Sequence, residues 1–157
     1  MDIYSFLDQH QIAYQRFDHE AVFTVEEADK LPKMPGTPVK NLFLRDKNGQ
    51  RHILVVLGHE KKVDLKALSE LLGVSKLSFA SPERLKKYLG VEPGSVTLLG
   101  VINDAEYGVE VVIDEELWGQ SLRCHPLVNT ATLVIPHESI EKFLIATHTP
   151  FRIVKVP

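Results

Sequence analysis

Two apolar runs separated by an Asn-Gly pair constrain the fold of this chain more than any other feature. The runs are residues 39–44 and 53–57, and Asn48-Gly49 lies between them. Such a pair between apolar runs is typical of a β-hairpin, because both turn residues accept the positive φ angles of a tight turn. The second run does not alternate with polar residues, which indicates a central strand covered on both faces. The sequence therefore predicts a hairpin within a larger sheet, with Lys40 and Asn41 opening its first strand at an edge of that sheet.

The remaining pattern predicts a mixed α/β fold with about seven strands and four or five helices. Polar residues that precede apolar residues at helical spacing indicate helix N-termini. The expected caps are Asp2, Thr24, Asp64 and Ser81, the second as part of a capping box with Glu27, and a further helix follows Pro136. Strands are expected at residues 12–17, 76–79, 109–113, 121–135 and 151–156, and residues 91–100 are interpreted as a glycine-rich turn that leads into a strand.

Length and composition indicate a single domain over residues 1–157, in which 44% of the residues are hydrophobic and 25% are charged. We expect a cytosolic protein, because the sequence has neither a signal-peptide pattern nor an apolar run long enough to span a membrane. The single cysteine, Cys124, excludes an internal disulfide and a cysteine-based zinc site. No cofactor is expected.

Charge is distributed unevenly along the chain. The net charge is -3, yet residues 30–90 contain thirteen Lys or Arg and only five Asp or Glu. If the fold gathers these cations on one side, they form a phosphate-attracting surface on an acidic protein. The alternative is a set of solvated helix faces, which is the commoner fate of such lysines. The lysines concerned are Lys30, Lys33, Lys40, Lys61, Lys62, Lys66, Lys86 and Lys87.

Polar residues interrupt an apolar stretch between residues 121 and 135. His125, Asn129 and two threonines stand where a buried strand would otherwise continue, and buried polar groups require hydrogen-bond partners. Pro126 cannot donate to a sheet, so the strand pauses there. We interpret this segment as one wall of a small-molecule pocket. A hydrogen-bonded core histidine beside a turn would explain the local pattern equally well.

Familiar catalytic and metal patterns are missing from the sequence. The seven histidines form no His-x-His or His-x-x-x-His pair, so we expect no metal site. Cys124 and His125 are consecutive, and neighbours along a strand point to opposite faces, which argues against a thiol nucleophile with its base. No nucleophile elbow, P-loop or dinucleotide fingerprint occurs.

Several motifs in register resemble the YbaK and prolyl-tRNA-synthetase-associated editing family, most closely its free-standing prolyl-tRNA editing proteins. The resemblance runs from about His19 to the C-terminal helix. It departs from the family at Leu98, where relatives often carry proline, and at residues 20–21, where a proline usually follows the histidine. The motifs are residues 40–44, 63–68, 77–83, 94–97, 102–104 and 125–132.

The resemblance implies a partly barrel-like mixed sheet with helices around it, and hydrolysis of the ester that joins a wrong amino acid to the terminal adenosine of tRNA. Lys40 would supply the indispensable charge, by holding the terminal phosphate or by polarising the ester, and the backbone near Gly100 would face the carbonyl. His125 would shape the amino-acid side of the pocket. The implied substrate-binding residues are Thr24, Asn41, Gly94, Val96, Thr97 and Asn129.

The implied partners are the aminoacylated 3′ end of tRNA and a prolyl-tRNA synthetase, with neither a membrane nor a metal. Alanine is the expected released residue, because a tight site excludes the proline ring by size more effectively than it attracts a methyl group. The main alternative is a non-catalytic module that binds an aminoacyl-tRNA or a free amino acid in the same pocket. A generic small-ester hydrolase is a weaker third hypothesis.

Overall fold

The computed structural model describes residues 2–20 and 34–157. The helix predicted to begin at Thr24 lies outside these residues. The α-helices are α1 (Ile3–Gln9), α2 (Leu65–Leu72), α3 (Pro82–Leu89) and α4 (His137–Ala146). The strands are β1 (Gln15–Asp18), β2 (Val39–Arg45), β3 (His52–Gly58), β4 (Ser78–Phe79), β5 (Val109–Asp114), β6 (Leu122–Cys124), β7 (Ala131–Ile135) and β8 (Phe151–Val154). Short 3-10 helices cover Pro93–Ser95, Leu98–Asn103 and Glu115–Leu117.

The described strands form two sheets, which confirms the mixed α/β class without closing a barrel. One sheet has the order β4-β2-β3-β5-β8 and the other has the order β1-β7-β6. β2 and β3 form the predicted antiparallel hairpin, and β3 is a central strand that pairs in parallel with β5. β4 pairs with β2 only at Leu44 and Arg45, so this strand does not cover the end of β2 that carries Lys40.

Apolar side chains form two core clusters on opposite faces of the five-stranded sheet. The larger cluster contains Phe43, Leu54 and Val56 together with residues of β6, β7, α1, α3 and α4. The smaller cluster contains Leu44 and Val55 and is covered by α2. Successive strand residues point to opposite faces. The core cluster to which a residue of β2 or β3 belongs therefore shows to which face of the sheet its side chain points.

Local signals located most helices correctly. The Asp2, Asp64 and Ser81 side chains accept hydrogen bonds from the backbone N–H groups of Ser5, Ala67 and Arg84, as N-caps do. The strand predicted with the turn at residues 91–100 is wrong, because residues 98–103 form a 3-10 helix that the Thr97 side chain caps. The apolar run there is buried, and periodicity alone does not distinguish a short buried helix from a strand.

We expect the protein to lose stability as the pH falls below about 6.5, in part because His52 is buried as a neutral imidazole. His52 is 1% exposed, and its Nε2 accepts a hydrogen bond from Arg84 Nη1 at 2.8 Å. Burial, followed by the charge of Arg84, lowers the pKa of His52 below its ordinary value of 6.5. Below about pH 6.5, His52 binds a proton in the unfolded chain but stays neutral in the folded chain. Acid therefore favours unfolding. Thermal unfolding measured between about pH 7.5 and 5 tests this expectation.

The matched variants for this test are His52→Gln and His148→Gln, the second at an exposed position. His52→Gln should reduce the pH dependence of the unfolding temperature, although the protein becomes less stable at neutral pH. His148→Gln should leave that dependence unchanged. Equal pH profiles for wild type and His52→Gln would contradict the assignment.

Candidate active site

The two sheets meet where the start of β2 lies beside β6. Thr37 and Leu122 form a parallel bridge, in which the Thr37 amide donates to Ser121 O at 2.8 Å and the Arg123 amide donates to Thr37 O at 3.1 Å. Arg123 holds the same segment through bonds from its guanidinium to the carbonyls of Met34 and Pro35. Lys40 and His125 each follow the bridge by three residues. If the parallel register of this bridge continues, the two residues lie level with each other.

Lys40 and His125 both point away from the larger core. Phe43 packs in that core, and alternation along β2 sends Lys40 to the opposite face. Cys124 packs in the same core, so His125, which follows it, turns away from the core as well. The Lys40 side chain is half-buried, and its ammonium forms no ion pair with any residue in 2–20 or 34–157.

His125 is a neutral imidazole within a cluster that the sequence did not reveal. Its Nδ1 lies 3.4 Å from Ala131 O, so the Nδ1–H donates to that carbonyl and Nε2 is left as an acceptor. Burial, more than any other cause, lowers the pKa of His125, and the nearby charge of His19 lowers it further. A neutral imidazole with an open Nε2 can accept a proton from water.

His19 is the second member of this cluster. β1 pairs with β7, and the His19 amide continues that pairing by donating to Thr130 O at 2.9 Å. Its Nδ1 lies 2.8 Å from Glu20 O, and its Nε2 lies 2.8 Å from Thr132 Oγ1. The available signal was a histidine at the point where the resemblance begins. No local pattern pointed further, because its partner Thr132 is 113 positions away.

Cys124 does not act as a nucleophile in this arrangement. Its thiol is 2% exposed, and burial raises its pKa to about 12. Thiol chemistry requires an accessible thiolate. The structure therefore agrees with the sequence argument that Cys124 and His125 face different environments.

The glycine loop differs from the implied picture. The Gly100 amide donates to Thr97 O at 3.0 Å, and a Cβ added at Gly100 would lie 3.0 Å from Leu89 Cβ. Gly100 is thus a packing position against α3, and this geometry does not support an amide that faces a substrate carbonyl. Gly94 is exposed, whereas Thr97 is buried and caps the following 3-10 helix.

Asn41 carries an unsatisfied polar atom. Its side-chain Oδ1 is buried and has no hydrogen-bond partner among the described residues. Leaving such an acceptor unpaired costs roughly 1–3 kcal/mol, so a bound donor is favourable there. Alternation places Asn41 on the core face of β2, opposite to Lys40, where half-buried Val96 packs against the same cluster.

Asn129 and Thr24 are the remaining substrate-binding residues that the resemblance implies. Asn129 is half-buried in the turn between β6 and β7, on the same segment as His125, and takes part in an interaction of its own. Thr24 lies outside the described residues.

The described part of the chain contains neither a metal-binding cluster nor a membrane-spanning helix. No group of three His, Cys, Asp or Glu side chains there lies close enough together to hold a metal ion. No helix within residues 2–20 and 34–157 is long and apolar enough to cross a membrane.

Comparison with known proteins shows that most of the chain matches a single family. Residues 19–143 match the sequence model of the aminoacyl-tRNA editing domain. The chain is 43% identical over 152 residues to the prolyl-tRNA editing protein ProX of Acetoanaerobium sticklandii, covering 96% of this chain and 93% of that protein. It is 37% identical to the prolyl-tRNA synthetase associated domain-containing protein 1 of Danio rerio, covering 95% of this chain and 83% of that protein.

Solved structures share the fold. A crystal structure of a hypothetical protein superposes with a TM-score of 0.76 at 18% identity, covering 99% of both chains. A candidate trans-editing enzyme for prolyl tRNA synthetase superposes with a TM-score of 0.70 at 18% identity, covering 97% of this chain and 93% of the other. At such identities these likenesses establish the architecture alone.

Proposed function

Because the chain belongs to the aminoacyl-tRNA editing domain family, we propose that it is a trans-editing deacylase that hydrolyses the ester of mischarged tRNA(Pro), with alanyl-tRNA(Pro) as its preferred substrate. The observation that supports this proposal is the bridge that joins the segment before Lys40 to the strand before His125, with both side chains directed away from the larger core. In the proposal, the Lys40 ammonium stabilises negative charge, and His125, whose pKa burial lowers, acts as the base for water.

The proposed reaction needs no covalent intermediate, because an aminoacyl ester is already activated. The water oxygen bonds to the carbonyl carbon, and the bond between that carbon and the ribose oxygen then breaks. His125 Nε2 accepts the water proton and returns it to the departing ribose oxygen. The Lys40 ammonium stabilises the negative charge that develops on the carbonyl oxygen, or it holds the terminal phosphate. The products are the free amino acid and tRNA with an intact terminal hydroxyl.

His19 acts as a positioning residue in this proposal. Its bond to Thr132 ties the end of β1 to β7, directly beside Ala131, whose carbonyl holds the His125 ring. Asn41 stays a predicted substrate-binding residue, and its unpaired Oδ1 lies on the core face of β2, opposite to Lys40. Gly94, Val96, Thr97, Asn129 and Thr24 stay predicted substrate-binding residues.

Size exclusion accounts for the preference for alanine over proline. A hydrophobic pocket distinguishes one methylene by only about 1–3 kcal/mol, whereas a ring that does not fit is rejected more strongly. Leu98, the position at which the chain departs from its relatives, is completely buried in the larger core and so acts on pocket size only through packing.

We expect alanyl-tRNA(Pro) to be deacylated at least about 100-fold faster than prolyl-tRNA(Pro), because the ring is excluded from the pocket. Release of labelled amino acid from alanyl-, cysteinyl-, seryl- and prolyl-tRNA(Pro) measures this preference. Tight binding of the charged tRNAs without release would favour the non-catalytic module instead. Equal release of alanine and proline would contradict selection by size.

Prolyl-tRNA synthetase is a proposed partner, because several relatives are named as domains associated with that enzyme. Co-sedimentation of the purified protein with the synthetase, with and without tRNA, tests this association.

A further inference from the structure

Two arginine side chains converge at the tip of the β2–β3 hairpin. Arg45 extends from the end of β2, and Arg84 reaches the same place from α3. A Cβ added at Gly49 would lie 3.2 Å from Arg45 Nη2 and 2.7 Å from Arg84 Nη2, so the two guanidinium groups flank one point. Gly49 has φ +68 and no side chain, which leaves room for both groups. Two like charges held together in this way require an explanation.

No carboxylate among the described residues forms an ion pair with either arginine. Arg45 donates to the carbonyls of Asp46 and Lys47, and Arg84 donates to Gly49 O and to His52 Nε2. These contacts orient the guanidinium groups and leave their charges uncompensated. The nearest acid, Asp46, is buried, and its Oδ1 accepts the backbone N–H groups of Gln50 and Arg51.

The same charges act on the neighbouring His52. After burial, the charge of Arg84 lowers its pKa, Asp46 opposes that effect, and Arg45 and Lys87 lower the pKa further. Lys47 and Lys87 are exposed at the same tip, and Lys87 Nζ lies 5.2 Å from the Tyr88 ring centre. We call Arg45, Lys47, Arg84 and Lys87 the hairpin-tip cations.

Two lysines of the basic segment, Lys61 and Lys86, form ion pairs. Lys61 contacts Asp114 and Glu116, and Lys86 contacts Glu92. Lys30 and Lys33 lie outside the described residues. Of the two alternatives for the lysines of residues 30–90, one phosphate-attracting surface does not account for Lys61 and Lys86, which are paired with acids. The hairpin-tip cations, two of which are arginines that the sequence analysis did not single out, form the uncompensated cluster.

We propose that the hairpin-tip cations bind the phosphate backbone of the acceptor arm of the tRNA, several nucleotides away from the ester. Five residues of β2 separate Arg45 from Lys40, which is about 17 Å at the rise of a strand. The odd separation puts the two side chains on opposite faces of β2, so an RNA with its terminal adenosine at Lys40 would place an upstream phosphate at the tip by crossing the edge of β2 that β4 leaves uncovered. Arginine suits this contact, because its planar fork donates two hydrogen bonds to one phosphate. The inference rests on the proposed function.

The test compares RNA binding by the wild type and the double variant Arg45→Gln/Arg84→Gln. The probe is a fluorescent RNA hairpin with an unpaired 3′ end, and its affinity is measured between 50 and 200 mM salt. Loss of two phosphate contacts should weaken binding about tenfold at the higher salt and reduce the magnitude of the log–log salt slope by about 1.5. Lys66→Gln/Lys155→Gln removes two exposed cations elsewhere and should leave both quantities nearly unchanged.

Arg84 also supports the hairpin, so a second pair of substitutions guards against misfolding. Lys47→Gln/Lys87→Gln removes two exposed charges without breaking the arginine contacts, and it should also reduce the salt slope. Wild-type affinity and slope in both double variants would overturn the inference. Capture of inorganic phosphate at millimolar concentration, without a difference among the variants in RNA binding, would overturn the assignment to RNA.

The outcomes separate this inference from the proposed function. A short aminoacylated trinucleotide cannot reach the tip, so Arg45→Gln/Arg84→Gln should hydrolyse it at the wild-type rate while losing kcat/KM for full-length tRNA. Failure of the proposed function would appear as absent deacylation with the RNA-binding difference retained. Failure of the inference would appear as normal deacylation of both substrates.

Discussion

Replacing Lys40 by methionine is expected to lower kcat/KM for deacylation of alanyl-tRNA(Pro) by about 10³-fold, with the fold retained. A preorganised group that stabilises charge in the transition state typically contributes 10²–10³ in rate. Methionine keeps most of the side-chain volume, so the loss reports the ammonium and not its packing. Single-turnover release of labelled alanine measures the rate, and thermal unfolding shows that the variant is folded.

The matched control is Lys62→Met, which removes an exposed lysine that follows β3 and has no ion pair with a described residue. Its activity should equal that of the wild type. A folded Lys40→Met protein that retained more than about a tenth of the activity would refute the assigned role. If Lys40 polarises the ester, the loss falls on kcat. If it holds the terminal phosphate, the loss appears mainly in KM.

Replacing Lys61 by methionine is expected to lower the free energy of unfolding by about 3 kcal/mol. Lys61 itself has no role in the proposed reaction. Lys61 Nζ lies 2.5 Å from Asp114 Oδ2, and Asp114 is 0% exposed. Removing the cation leaves a buried carboxylate whose remaining contacts are long backbone bonds, from Val156 N at 3.4 Å and Glu116 N at 3.5 Å. Urea denaturation monitored by circular dichroism measures the change.

A second substitution identifies the cause of this loss. Asp114→Asn in the Lys61→Met background removes the unpaired charge, so it should recover a substantial part of the lost stability. Lys62→Met serves again as the control, because it removes the neighbouring lysine without exposing a buried acid. Equal stability of the Lys61→Met and Lys62→Met proteins would show that the Lys61–Asp114 contact contributes little.

Lys40 and Lys61 illustrate what could be predicted from the sequence. Lys40 was identified through its place in a family motif, and the hairpin that carries it follows from the Asn-Gly pair. For Lys61 the sequence left open a phosphate-attracting surface or a solvated helix face, yet it neutralises an acid 53 positions away. Formal charge is visible in a sequence, whereas compensation of that charge depends on which residue folding brings beside it.

The candidate site shows the same division. His125 and Lys40 were both named from the sequence, and the bridge between Thr37 and Leu122 brings together the segments that precede them. The contacts of His19 were not predicted. The backbone near Gly100 was expected to face the substrate carbonyl, but the Gly100 N–H donates a hydrogen bond to Thr97 O. Glycine signals that backbone approaches something closely, but the neighbour may equally be a ligand or a helix, and here it is Leu89 on α3.

The amino-acid sequence by itself determined the helix caps, the hairpin, the mixed α/β class and the family. Each cap and turn depends on hydrogen bonds between residues a few positions apart, and the family depends on motifs whose order survives without coordinates. The tertiary structure alone decided which cations stay uncompensated, which histidines meet and what Gly100 contacts. Those facts depend on strand pairings between distant segments, such as β1 with β7, and no local pattern encodes such pairings.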